Sequence, residues 1–159
     1  MILILLGTQD KPFDRILKEV SKLKKEGYIK DRIVAQTGHT KFEDDNIECF
    51  DFVSKKEVEE LIDEARIVIA HGGVGIITEC LSMNKKVIVV PRLKKYREHT
   101  NDHQLQIVKE FAKQKYILPL YKTSDLKQVL KDIKSFKPAK YEAESNNFVT
   151  ALKKYIDEL

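Results

Sequence analysis

Continuous apolar runs recur along this chain with amphipathic segments between them: "MILILL" (1–6), "RIVAQ" (32–36), "RIVIAH" (66–71), "KVIVVP" (86–91) and "YILPL" (116–120). A strand with one wet face alternates apolar and polar residues. An unbroken apolar run reads as a strand buried on both faces, the condition of a parallel sheet covered by helices. "NIECFDF" (46–52) adds a short further strand, for about six in all. Between the runs, "PFDRILKEVSKLKKEGY" (12–28) places Phe13, Ile16, Leu17, Val20 and Leu23 on one helical face, with Pro12 suited to its first turn and Gly27 to its end. Helices are also expected over 55–65, 75–84 and 101–114, with closing helices over 124–136 and 143–159. The fold class is α/β: a Rossmann-like parallel sheet with helices on both faces. At 159 residues, one domain spanning 1–159 is expected.

In such a sheet, ligands bind beyond the carboxyl ends of the strands. Three polar, glycine-bearing loops fall at those ends: "GTQDKP", "QTGHTK" and "HGGVGIITE". Each alone is an ordinary turn; together they mark one edge as a site. In the third loop, Gly72, Gly73 and Gly75 let a ligand approach the main chain. The helix that begins near Gly75 offers unpaired N–H groups and a partial positive charge, a seat for phosphate. His71, at the strand end, is placed to donate a hydrogen bond to a phosphate oxygen. Glu79, one turn on, suits the paired hydroxyls of a ribose and would repel a diphosphate. The bland alternative makes His71 a core-edge residue and Glu79 a solvated one.

A further polar cluster follows the fifth run. "PRLKKYREHTNDHQLQ" (91–106) gathers Arg92, His99, Asn101, Asp102, His103 and Gln104. Asp102 and Gln104 are candidates for gripping sugar hydroxyls; the alternative is a solvated loop with Thr100 or Asn101 capping the next helix. Metal is not expected, because His99 and His103 would need one continuous helix to share a face. The acidic "EDD" at 43–45 reads as solvated charge, and no aspartate-x-aspartate metal motif occurs.

Other classes are excluded. The first loop carries only Gly7, so the dinucleotide fingerprint fails, and no Walker phosphate loop is present. Net charge is +4, with lysines scattered among glutamates, which does not point to nucleic acid. Cys49 and Cys80 lack metal-ligand spacing and read as buried, reduced thiols. No segment reaches the ~20 apolar residues of a membrane span.

"GTQDKPFDRIL", "QTGHT", "HGGVGIITECLSMNKKVIVVPR" and "EHTNDHQLQIVKEFAKQKYIL", taken in order, resemble the carboxyl-terminal, donor-binding half of glycosyltransferase family 28. The likeness is to its small stand-alone subunits, such as those of the dolichol-linked UDP-GlcNAc transferase and of bacterial two-component exopolysaccharide and capsule transferases. The resemblance implies the C-terminal half of a GT-B fold. It also implies a hexosyltransferase that uses UDP-GlcNAc or another UDP-hexose and transfers the sugar, with inversion, to a lipid-linked acceptor. It places the diphosphate and ribose on His71, Gly72, Gly73, Gly75, Thr78 and Glu79, with His71 stabilising the leaving group. Arg92, Asp102, His103 and Gln104 fall on the donor-sugar side. Gly7, Thr8, Gln36 and Gly38 line the cleft towards acceptor and uracil. Many relatives carry serine or alanine where this chain has Gly72, and the acceptor half with its base is missing. A membrane-anchored, acceptor-binding partner is therefore expected, with the chain cytoplasmic and recruited to the cytosolic face of a membrane. Self-pairing is expected of the lone chain. No cofactor and no metal are implied. The rival readings are a non-catalytic nucleotide-sugar-binding regulator of the same fold and a UDP-GlcNAc-type epimerase, the latter disfavoured because it needs both halves.

Overall fold

The computed structural model describes residues 1–143 and 147–159. Six parallel strands form one sheet: β1 (Ile2–Leu5), β2 (Ile33–Gln36), β3 (Glu48–Phe50), β4 (Ile67–His71), β5 (Lys86–Val90) and β6 (Leu118–Pro119). Their spatial order is β3-β2-β1-β4-β5-β6. Chain direction along the sheet reverses between β1 and β4, which opens a crevice outside their carboxyl ends. β1 is registered against both neighbours, with Leu5 level with Gln36 on one side and Ala70 on the other.

Residue parity divides β1 between two cores. Ile2, Ile4 and Leu6 pack with Ile16, Leu17 and Val20 of α1 (Arg15–Lys25) and with Leu126, Leu130 and Ile133 of α5 (Leu126–Ile133). Leu3 and Leu5 face the other way. They meet Ile62 of α2 (Lys55–Glu64), Ile77 and Cys80 of α3 (Val74–Ser82), Val108 and Phe111 of α4 (His103–Lys113), and Leu152 of α6 (Phe148–Asp157). Burying each such side chain contributes about 1.5–3 kcal/mol. This two-sided burial is what made the strands read as unbroken apolar runs.

Boundaries differ where a polar contact intervenes. The helix expected from residue 12 starts at Arg15, and the Phe13 N–H ahead of it donates to Thr40 Oγ1 at 3.0 Å. The strand expected over 116–120 shortens to the two-residue edge strand Leu118–Pro119, an edge being where a sheet tolerates proline. The "EDD" segment is not simply solvated. Asp44 accepts from Ser21 Oγ at 2.6 Å and from the Asn46 N–H at 2.8 Å, so its side chain is mostly covered and ties the loop to α1. Cys80 is buried as expected, and burial pushes its thiol up to about 12; Cys49 is only half-buried. The closing helix expected over 143–159 is seen as α6; residues 144–146 of that expectation lie outside the described residues. Among the described residues, no helix is long and apolar enough to cross a membrane.

Candidate functional site

The loops after β1, β2 and β4 converge at the crevice, and their glycines are where they touch. Gly7 has φ +82° and Gly38 φ +58°, a left-handed backbone that disfavours other residues. A Cβ on Gly38 would lie 2.6 Å from the Gly7 carbonyl oxygen. A Cβ on Gly7 would lie 2.5 Å from His71 Nε2, and one on Gly73 would overlap His71 Cε1. The imidazole thus fills the space that side chains at 7 and 73 would need.

His71 is held from its other side by Gln104, buried at 7% exposure. Gln104 Oε1 accepts from the Gly72 N–H at 2.9 Å and from the Arg92 N–H at 3.0 Å, and its Nε2 lies 3.2 Å from His71 Nδ1. Burial, and then the charge of Arg92, push the His71 pKa down to about 4, so the ring is neutral at physiological pH. Gly72 has ordinary backbone torsions. Its lack of a side chain serves packing instead, for a Cβ there would come within 2.9 Å of Gln104 Cβ.

α3 opens at this point without a side-chain cap: Gly73 occupies the cap position in an extended conformation. The first N–H groups of a helix have no partner within it and carry partial positive charge. Gly75, in the first turn, is exposed, and a Cβ there would meet nothing within 4 Å. One turn on, Glu79 Oε1 is buried with no hydrogen-bond partner among the described residues. It lines a cavity of about 630 Å³ together with Gly75, Thr78, Lys55 and Tyr141, a size usual for small-molecule sites. A buried carboxylate oxygen without a donor is costly, and a donor from water, an ion or a ligand would satisfy it. The Thr78 hydroxyl donates back to its own helix, at Val74 O or Gly75 O, and keeps only acceptor capacity.

The segment after β5 divides into two jobs. Arg92, expected among donor-binding groups, is 0% exposed. Its guanidinium donates to the carbonyls of Leu6, Lys11 and Glu98 and stacks 4.9 Å from the Phe13 ring centroid. Burial lowers its pKa to about 10, still a cation at pH 7. Glu98, 3% exposed, accepts from Arg15 Nε and the Leu93 N–H. Arg92 therefore clasps the β1 and β5 loops together rather than facing the crevice. Gln104, expected to grip sugar, spends its oxygen on the backbone as described. Asp102 and His103 remain accessible at the start of α4; Asp102 Oδ1 accepts from the Lys94 N–H, and the His103 N–H donates to Asn101 Oδ1. Thr8 is exposed at the mouth, and Gln36 is half-buried at the end of β2. Sequence reading missed Glu98 and Arg15. The one available signal was a lone acid inside the basic run "KKYRE". A second cavity, of about 640 Å³ and lined by Thr37, Asp44, Cys49 and Asp51, lies under the β2–β3 loop and touches neither His71 nor Glu79. Among the described residues, no group of three or more His, Cys, Asp or Glu side chains is arranged to hold a metal ion.

A parallel sheet in this order is Rossmann-like, and this fold matches the C-terminal half of GT-B glycosyltransferases. The chain belongs to the glycosyltransferase family 28 C-terminal domain family, which matches residues 1–159. It is similar to the UDP-N-acetylglucosamine transferase subunit ALG13 of Candida albicans, with 27% identity over 108 residues, 68% of this chain. The aligned region is 35% of that relative's length, so the chain spans well under two thirds of it. Among solved structures, an ALG13 solution structure has a TM-score of 0.63 at 20% identity, covering 98% of this chain and 96% of that one. The kitacinnamycin glycosyltransferase has a TM-score of 0.60 at 15% identity, covering 99% and 40%. MurG of Acinetobacter baumannii has a TM-score of 0.57 at 14% identity, covering 98% and 49%. At these identities the structural likeness establishes the fold.

Proposed function

We propose that the chain is the donor-binding subunit of a UDP-sugar-dependent hexosyltransferase. The diphosphate rests on the N-terminus of α3 beside His71, the ribose hydroxyls donate to Glu79, and the sugar extends towards Asp102 and His103. The observation that carries this reading is the buried Glu79 Oε1, without a partner among the described residues, one helical turn from an exposed glycine at an uncapped helix start. Helix-end charge and the imidazole stabilise the departing UDP without a metal. The likeness to ALG13 supports UDP-GlcNAc among the UDP-hexoses. An inverting transfer also needs an acceptor fixed within about 3–3.5 Å of reaction distance. No group on this chain is assigned that task. A membrane-anchored partner supplies the acceptor site and the base, takes a lipid-linked acceptor, and recruits the chain to the cytosolic face.

Calorimetry with UDP, UDP-GlcNAc and other UDP-hexoses tests the donor site; no binding of any of them overturns the reading. Radiolabelled transfer to a lipid acceptor, with and without membranes of the source cell, tests the subunit. Robust turnover by the purified chain alone would overturn the two-component arrangement. Donor binding with no transfer in either setting would favour a regulator.

A further inference from the structure

We infer that Gln104 is a positioning residue that fixes His71 as the Nε2–H tautomer, making the ring a hydrogen-bond donor to the anion in the crevice and not a base. Gln104 Oε1 accepts from two backbone N–H groups, those of Gly72 and Arg92, which can only donate. The amide therefore cannot flip, and its Nε2 must face His71 Nδ1 at 3.2 Å. An amide N–H₂ only donates, so Nδ1 presents its lone pair and the proton of the neutral ring sits on Nε2. Protonating Nδ1 as well would set N–H against N–H₂. Nε2 meets no protein hydrogen-bond partner among the described residues, and it lies between Gly7 and Gly73 beside the open start of α3. One amide thus sets the tautomer and also joins the β4 loop to the β5 loop through the Gly72 and Arg92 N–H groups.

This role rests on the donor-site reading, because the Nε2–H needs an anion to meet, but the tautomer itself is measured without ligand. Long-range ¹H–¹⁵N correlation spectra of ¹⁵N-histidine-labelled protein near pH 7, assigned by comparison with His71→Asn, give the state of each ring nitrogen. The free protein is expected to show a lone-pair Nδ1 and a protonated Nε2 at His71. Gln104→Glu keeps acceptors for the two backbone N–H groups but offers a carboxylate to Nδ1, so Nδ1 should gain a proton. Pyrophosphate should shift the Nε2–H resonance of the parent. UDP affinity should fall roughly ten- to 150-fold in Gln104→Leu, the loss of one hydrogen bond to a charged group. A protonated Nδ1 in the free parent overturns the proposal whatever the variants do, and so does an unchanged tautomer in folded Gln104→Glu. The expected tautomer together with no UDP binding leaves the tautomer and the positioning by Gln104 standing, and overturns the donor-site reading and with it the ring's role towards an anion.

Discussion

Replacing Glu79 separates a ligand-binding acid from a structural one. Its Oε1 is buried and accepts nothing from the described residues, so none of their hydrogen bonds is lost on truncation. An unsatisfied buried polar atom costs about 1–3 kcal/mol, and alanine is the best helix former. Glu79→Ala should therefore leave the free protein at least as stable as the parent. The ligand tells the opposite story. If ribose hydroxyls donate to this carboxylate, truncation forfeits hydrogen bonds to a charged group, about 1.5–3 kcal/mol. That is roughly ten- to 150-fold in Kd for UDP. Pyrophosphate, which stops at the helix start, should bind almost unchanged. Titration calorimetry with both ligands, and urea unfolding of the free proteins, give the readouts. A variant that is less stable and loses both ligands equally would make Glu79 a structural residue.

The same loop offers paired glycine tests. Gly75→Val places its side chain in open space, so the fold should survive while UDP binding falls at least tenfold; unchanged affinity in a folded variant removes the helix start from the site. Gly73→Ala should instead displace the His71 ring it overlaps, seen as a shifted His71 resonance in the free protein; an unmoved ring would refute the packing. For pH, His71 titrates near 4 when folded and near 6.5 when unfolded, so between these values the unfolded chain binds the proton first. Its contribution to stability is complete above pH 6.5 and is lost as pH falls to 4, by up to about 3 kcal/mol. His71→Asn should flatten that part of the stability–pH curve, and an equal slope in the variant would count against the buried neutral ring.

Local pattern made the scaffold legible, and distance hid the rest. β1, β4 and β5 could be read almost to the residue because two-sided burial leaves an unbroken apolar run. Glu79 could be picked out because one helical turn separates it from Gly75 within a single element. Arg92 and Gln104 could not be placed. Their partners include Leu6 O, 86 residues away for Arg92, and the Gly72 N–H, 32 residues away for Gln104. No periodicity records a side chain that folds back under its own loop. A polar run therefore read as ligand-facing, or else as a solvated loop, although three of its members, Arg92, Glu98 and Gln104, are buried. Asp44 escaped for the same reason, since the Ser21 hydroxyl that covers it lies in the preceding helix.

Arg92 decides whether the crevice is shaped by its clasp or contacted by it. Removing the guanidinium orphans the carbonyls of Leu6, Lys11 and Glu98, three acceptors now satisfied by one planar group. Arg15 still neutralises Glu98 through a 3.0 Å ion pair, so the loss is of hydrogen bonds and of stacking on Phe13 more than of charge balance. Breaking a buried charged cluster by deleting one partner costs about 3–5 kcal/mol, and Arg92→Leu should be destabilised by about that much in urea. Arg92→Lys sharpens the test. Lysine keeps a cation but has three donors on a single nitrogen, and cannot span carbonyls arrayed around a fork. A clasp predicts that lysine is also clearly destabilising, with UDP affinity falling because the β1 and β5 loops part. A direct phosphate contact predicts a stable Arg92→Lys that keeps most of its UDP affinity. Melting point and Kd measured on the same preparation distinguish the two, and a lysine variant with parental stability would refute the clasp.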